Sequence, residues 1–154
     1  MVREDTVGKD LSSGTAAPTM TIAELDARLR TEFPEAFVGG LVIEEVWHGG
    51  CRLRQPFQPQ SMRPGGTMSG ASIMALGDYA VYVAILASIG WVPLAVTTNL
   101  NAEFLRKPGR DDLLATCRLI KLGRRLAVGA VEIRSGVSPD LVAHLTATYS
   151  IPPD

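Results

Sequence analysis

The stretch Ala71-Ser-Ile-Met-Ala-Leu-Gly-Asp-Tyr-Ala-Val-Tyr-Val-Ala-Ile-Leu-Ala-Ser-Ile-Gly90 runs for twenty residues with a single charge, Asp78. A run of that length is enough to cross a bilayer as a helix. Gly77, two tyrosines and two serines interrupt it, and its flanks lack the basic anchors that orient a spanning helix. A helix buried on every side by its own protein accounts for the same pattern. No membrane association is expected.

The segments on either side supply the cover for such a helix. Thr21-Ile-Ala-Glu24 has the form of a capping box, opening a short helix from Ile22 to about Phe33 that Pro34 ends. After Gly39-Gly40, the segments Leu41 to Trp47 and Cys51 to Phe57 read as strands joined by His48-Gly49-Gly50. A Pro/Gly-rich loop, Pro59 to Gly66, leads to the long helix, and no strand runs directly into its glycines. Beyond Gly90 the period changes to two. Val96, Leu100, Ala102 and Phe104 are expected on one face of a strand, with Thr97, Asn99, Asn101 and Glu103 on the other. Leu113 to Leu122, Leu126 to Arg134 and Leu141 to Ile151 give three more strands, divided by Gly123-Arg124 and Ser135-Gly136. Helix, two strands, long helix, four strands: this order has no βαβ alternation, so the class is α+β, with an antiparallel sheet wrapped around one long central apolar helix.

The chain has 154 residues, 46% of them hydrophobic, which suits one domain with its own core. Residues 1–18 are mixed-charge, small and polar, with no apolar core for a signal peptide, and read as a flexible N-terminal tail before a single domain, 19–154. With 15 Lys+Arg against 16 Asp+Glu, no basic face for nucleic acid is expected. Cys51 and Cys117 are too few for a disulfide framework, and with His48 and His144 they show no metal-ligand spacing. A reducing, cytoplasmic setting and no metal site follow as expectations.

Asp78 is the residue most in need of explanation. An ionised carboxylate in an apolar helix is costly unless paired, and such positions are enriched for function. It lies some eight residues past the probable helix start at Gly70, beyond the reach of the helix dipole; a buried ion pair with an arginine elsewhere is the other structural explanation. Gly65-Gly66-Thr67-Met68-Ser69-Gly70 supplies a complementary feature, a helix start whose first N–H groups lack intrahelical partners and can bind a phosphate or a developing oxyanion. No Lys-Ser/Thr follows these glycines, as a P-loop would need. Eight residues of helix separate Gly70 from Asp78 by about 12 Å, too far for both to meet one reacting carbon in one subunit. If they cooperate, they come from two chains around a twofold axis, with the polar strand face at Thr97, Asn99 and Asn101 at the boundary.

Arg63-Pro-Gly-Gly-Thr-Met-Ser-Gly70, Asp78 eight residues on, and Val96-Thr-Thr-Asn-Leu-Asn-Ala-Glu-Phe-Leu-Arg-Lys-Pro108 together resemble the hotdog-fold acyl-CoA thioesterases, of the phenylacetate-pathway (PaaI-like) subgroup. The likeness covers about Leu41 to Ser150 in element order. It implies the hotdog fold, a dimer or dimer of dimers, and an active site shared between subunits. It implies further that Asp78 acts on the thioester while the Gly70 amide of the other chain holds its carbonyl oxygen. No cofactor is implied beyond coenzyme A as part of the substrate. Two positions depart from the family: Ser69 stands where a His usually precedes the glycine, and Arg63 where an Asn or Gln often sits.

Ser69 joins Asp78 and Gly70 in the expected catalytic set; Arg63, Gly66, Tyr82, Asn99, Arg106 and Arg124 are the expected substrate contacts. Tyr82, four residues after Asp78, shares its helix face and either borders an acyl pocket or is a core tyrosine with a satisfied hydroxyl. Arg106, Lys107, Arg110, Arg118, Lys121, Arg124 and Arg125 form a basic segment, suited to CoA phosphates or to a solvated rim. Three functions fit these residues: hydrolysis of acyl-CoA thioesters, an acyl-CoA-binding or sensing module that Ser69 would favour, and a hydroxyacyl-thioester dehydratase, which usually needs a His near the helix start.

Overall fold

A computed structural model describes residues 16–59, 62–64 and 66–153, with the backbone alone at 63 and 67. Most of the expected tail, residues 1–15, and Gly65 lie outside the described residues. The elements in order are α1 (Ile22–Glu32), a 3₁₀ turn (Pro34–Phe37), β1 (Val42–Trp47), β2 (Gly50–Gln55), β3 (Met62–Arg63), β4 (Thr67–Met68), α2 (Gly70–Ile89), β5 (Val96–Phe104), β6 (Leu113–Leu122), β7 (Leu126–Ser135) and β8 (Leu141–Ser150). Six strands form one antiparallel sheet in the order β1-β2-β6-β7-β8-β5, and β3 pairs with β4 in a separate short hairpin. This is the hotdog architecture, a sheet curled over one long helix.

Alternation along the strands decides which residues meet α2. Leu113, Ala115, Cys117 and Leu119 of β6 are buried, as are Ala127, Val131 and Ile133 of β7 and Ala143, Leu145, Ala147 and Tyr149 of β8. They pack on Ile73, Leu76, Ala80, Val81, Ala84 and Ile85 of α2. Close approach depends on absent side chains: a Cβ at Gly129 of β7 would stand 2.8 Å from Val81 Cγ2. The α2 helix is apolar around its circumference, and eleven of its residues are buried. That burial explains a composition that also satisfies the length rule for a membrane span.

The capping box of α1 forms as expected: Thr21 Oγ1 accepts from Glu24 N–H at 3.2 Å, and the Glu24 carboxylate accepts from Thr21 N–H at 2.9 Å. Leu25 and Leu29 are the buried face of α1, which seats it beside α2. Ala16, within the stretch read as a loose tail, accepts a hydrogen bond from His48 N–H at 3.0 Å, and Thr19 N–H donates to the Ala87 carbonyl at 2.6 Å.

The structure corrects the sequence reading in two places. A short strand, β4, does run into the start of α2, because the segment read as an open loop folds back as the β3–β4 hairpin. Strict alternation also fails in β5. A bulge at Thr98 breaks the register, so that Thr97 pairs with the buried Tyr149 and Asn99 with Thr148. Residues opposite one another in a ladder share a face. Thr97 therefore joins Leu100, Ala102 and Phe104 on the side facing α2, while Val96, 58% exposed, joins Asn99, Asn101 and Glu103 on the other.

Candidate active site

Asp78 sits midway along α2, half-buried, where the helix passes the start of β5 and the end of β8. The bulge brings Thr97 to it: Thr97 Oγ1 donates to Asp78 Oδ1 at 2.7 Å. Tyr149, buried at 3% exposure, donates to the same oxygen at 2.7 Å and lies 3.0 Å from the Asp78 backbone carbonyl. Among the described residues no hydrogen bond reaches Oδ2, and no arginine pairs with the carboxylate. The buried ion pair considered from the sequence is thus not formed among the described residues. A helix carboxylate held on one oxygen and free on the other retains lone pairs for chemistry.

Asp78 lines a cavity of about 480 Å³ whose walls also include Phe33, Tyr79, Tyr82, Trp91, Thr97 and Tyr149. The rings brace one another. Phe33 of the α1 end meets Tyr79 and Tyr82 edge-on, with centroids 5.7 and 6.5 Å apart, and Tyr82 stacks on Tyr149 at 6.3 Å. Tyr82 OH donates to the Pro93 carbonyl at 3.0 Å. Burial pushes the phenol of Tyr149 far above its ordinary range; the Thr97 hydrogen bond opposes this and the Asp78 carboxylate adds to it. Tyr79 is raised by burial and then by Asp78 and Glu35, and Tyr82 by burial and then by Glu32. All three remain protonated, neutral donors at neutral pH.

Gly70 stands elsewhere. As the first residue of α2 it borders a second cavity of about 470 Å³, with Met68, Ile73, Phe104, Arg106 and Lys107 on its walls. Ser69 is the helix N-cap: its Oγ accepts from Ser72 N–H at 3.1 Å and bonds Ser72 Oγ at 2.9 Å. The Ser69 carbonyl takes the Ile73 N–H at 3.2 Å, and among the described residues the N–H groups of Gly70 and Ala71 have no partner. A Cβ at Gly70 would be 3.4 Å from Phe104 Cζ.

Within one chain the structure brings Tyr82 to Asp78 and Arg106 to Gly70, but it keeps these two groups in separate cavities. Ser69 is adjacent to Gly70 with its hydroxyl engaged in capping. Gly66 turns the β3–β4 hairpin with φ +77°, which explains the glycine there. Asn99 is exposed on the outer sheet face, and Arg124 lies in the β6–β7 turn outside both cavities. The backbone of Arg63 pairs with Thr67, and its side chain lies outside the described residues. The basic segment is divided accordingly: Arg106 and Lys107 follow β5, while Arg124 and Arg125 lie at the other end of the sheet, beside the β5 start.

Sequence reasoning missed Tyr149, Thr97 as an Asp78 ligand, and the ring wall of Phe33, Tyr79 and Trp91. Tyr149, the one tyrosine in the last strand, was the available signal.

A family model described as the thioesterase superfamily matches residues 65–140, from the β3–β4 turn into the β7–β8 turn. A crystal structure of a candidate thioesterase from a Silicibacter species is 43% identical, covers 88% of this chain and 94% of its own, and superposes with a TM-score of 0.81. The chain belongs to the thioesterase superfamily. A candidate esterase of Thermoplasma acidophilum is 28% identical over 109 residues, 71% of this chain and 81% of its own. The phenylacetic acid degradation protein PaaI from Thermus thermophilus, solved as a single-site variant, is 24% identical with a TM-score of 0.69, covering 77% of this chain and 99% of its own. That likeness establishes the shared fold.

Proposed function

We propose that this thioesterase-superfamily protein hydrolyses acyl-CoA thioesters to the free acid and CoA, as a PaaI-like member working as a dimer or a dimer of dimers. The observation that carries the reading is Asp78: a carboxylate with one oxygen free, at the wall of an apolar ring-lined cavity. The family supports thioester hydrolysis as the class of reaction.

In this reading Asp78 takes a proton from water as the water oxygen bonds the thioester carbonyl carbon, or itself bonds that carbon to give an anhydride that water then cleaves. The carbonyl oxygen becomes an oxyanion, held by the free Gly70 N–H of the partner subunit at the positive end of α2. The C–S bond then breaks and CoA leaves as the thiolate, taking up a proton from Asp78 or solvent. A thiolate is a good leaving group, so the absence of a histidine at Ser69 is compatible with turnover. The acyl group lies among Phe33, Tyr79 and Tyr82, and the pantetheine arm runs from the Gly70 cavity past Arg106 and Lys107.

The separation of the cavities supports a two-chain site. Such a site is also supported by β5, an edge strand of nine residues with Val96 and Phe104 exposed in it and Leu94 and Leu105 exposed just beyond its ends, because exposed apolar edges are normally covered. A binding module without turnover is the second reading, favoured by the engagement of Ser69 in capping. Thiol release from a panel of aromatic and aliphatic acyl-CoAs, beside calorimetry on the same compounds, separates the two. Release supports the hydrolase and names the acyl class; tight binding with no release across the panel supports the module.

A further inference from the structure

We infer that Tyr149 and Thr97 are a positioning pair for the reaction: they grip Asp78 through Oδ1 so that Oδ2 is the oxygen that meets water or the thioester. This rests on the assignment of Asp78 as the reacting carboxylate and says which atom reacts and what holds it there.

The pair comes from two strands that the sequence separates by 52 positions, and each reaches Asp78 by a specific device. Thr97 is turned toward α2 by the bulge at Thr98; in an unbroken ladder it would face away with Asn99. Tyr149 is set by the β5–β8 and β7–β8 registers, opposite Thr97 and the fully buried Ala127, and its ring is fixed against Tyr82. Each hydroxyl carries one proton and stands 2.7 Å from Oδ1, within reach to donate to it. Two donors on one oxygen fix the carboxylate plane, since rotation about the Cβ–Cγ bond would break both bonds at once.

The dependence runs from Asp78 to the tyrosine rather than the reverse. Tyr149 OH also has the Asp78 backbone carbonyl at 3.0 Å, so its donor has a second acceptor if the carboxylate is removed. A packing role for Tyr149 is filled by its ring, which phenylalanine keeps. Its hydroxyl is therefore the separable part, and what it does is orient Asp78. Small losses of alignment at a reacting atom are costly in rate even where the ground state is unchanged.

The test uses the full chain with Tyr149→Phe, Thr97→Val and Thr97→Ser. In thiol-release assays, Tyr149→Phe and Thr97→Val each lower kcat about tenfold with KM unchanged, while Thr97→Ser, which keeps the hydroxyl, stays within about twofold of wild type. A folded Tyr149→Phe with wild-type kcat overturns the proposal, as does a Thr97→Ser variant as slow as Thr97→Val. A second readout needs no substrate. In protein carrying ¹³Cζ-tyrosine, the Tyr149 resonance, identified by its loss in Tyr149→Phe, shifts in Asp78→Asn and in Thr97→Val. An unmoved resonance overturns the pair whatever the kinetics. A moved resonance in a protein that turns over no acyl-CoA keeps the pair and rejects the substrate reading instead.

Discussion

Replacing Gly70 by proline deletes one N–H and little else that the fold uses. Gly70 is the first residue of α2, where proline is well accommodated because that N–H has no intrahelical partner. Ser69 before it already has φ −68° and ψ 149°, the extended conformation that a following proline requires. The added ring meets Phe104, whose nearest carbon stands 3.4 Å from a Cβ at this position. Gly70→Pro is expected to fold, to bind acyl-CoA and to lose roughly 3 kcal/mol of transition-state stabilisation, on the order of a hundredfold in kcat. Asp78→Asn is expected to be inactive for an unrelated reason. Because the two lesions lie in different cavities of one chain, mixing the variants discriminates the site's origin. Random reassociation gives half mixed dimers, and in each of these one site combines an intact Asp78 with an intact Gly70. Two nearly dead proteins, unfolded together and refolded, then recover about a quarter of wild-type activity. No recovery, with mixed dimers demonstrated by a tag on one variant, would refute the two-chain site, since a site formed within one chain leaves every site with one lesion.

Other consequences follow from the packing. Gly129→Ala places a methyl 2.8 Å from Cγ2 of the β-branched Val81 and is expected to cost about 1–3 kcal/mol, read as a fall in Tm of several degrees. Thr21→Ala removes half of the capping box and is expected to lower stability by about 1 kcal/mol by urea unfolding, without changing the Asp78 cavity. Burial pushes the thiol of Cys51 up, reinforced by Cys117, and burial likewise raises Cys117 against the opposing effect of Arg118. Both are therefore expected to resist thiol reagents until the protein unfolds. Since their folded values exceed their unfolded ones, the unfolded state binds fewer protons above about pH 9, and stability is expected to fall there with rising pH. Cys117→Ala should flatten that alkaline limb in thermal scans at stepped pH; a limb equally steep in the variant would assign it to other groups.

The elements were legible because local signals agreed with long-range needs. Gly39-Gly40, His48-Gly49-Gly50, Gly123 and Gly136 punctuate the strands, and the uniform apolarity of residues 71–90 required a sheet around them. Asp78 was legible for the same reason inverted: it is the one charge in a segment that burial should have cleared. What surrounds it was not. The bulge that turns Thr97 leaves no mark in composition, because Val96-Thr-Thr-Asn99 alternates as well in one register as the other. Tyr149 is 71 positions from Asp78, and only the sheet order brings β8 beside β5 and under the helix. The sequence marks Phe33 only as the end of a short helix, whereas its ring stands in the cavity wall against Tyr79 and Tyr82. Ser69 shows a second use of its residue type: it caps α2 by accepting the Ser72 backbone N–H.

The central claim is that the Asp78 carboxylate carries out thioester hydrolysis. Its most direct test is thiol release by wild type and Asp78→Asn on the best acyl-CoA of the panel, with calorimetric binding and Tm recorded for both. The account predicts that Asp78→Asn keeps its fold and its affinity for the acyl-CoA while kcat falls by at least about a thousandfold. Turnover by Asp78→Asn within about tenfold of wild type would contradict it and remove Asp78 from the chemistry.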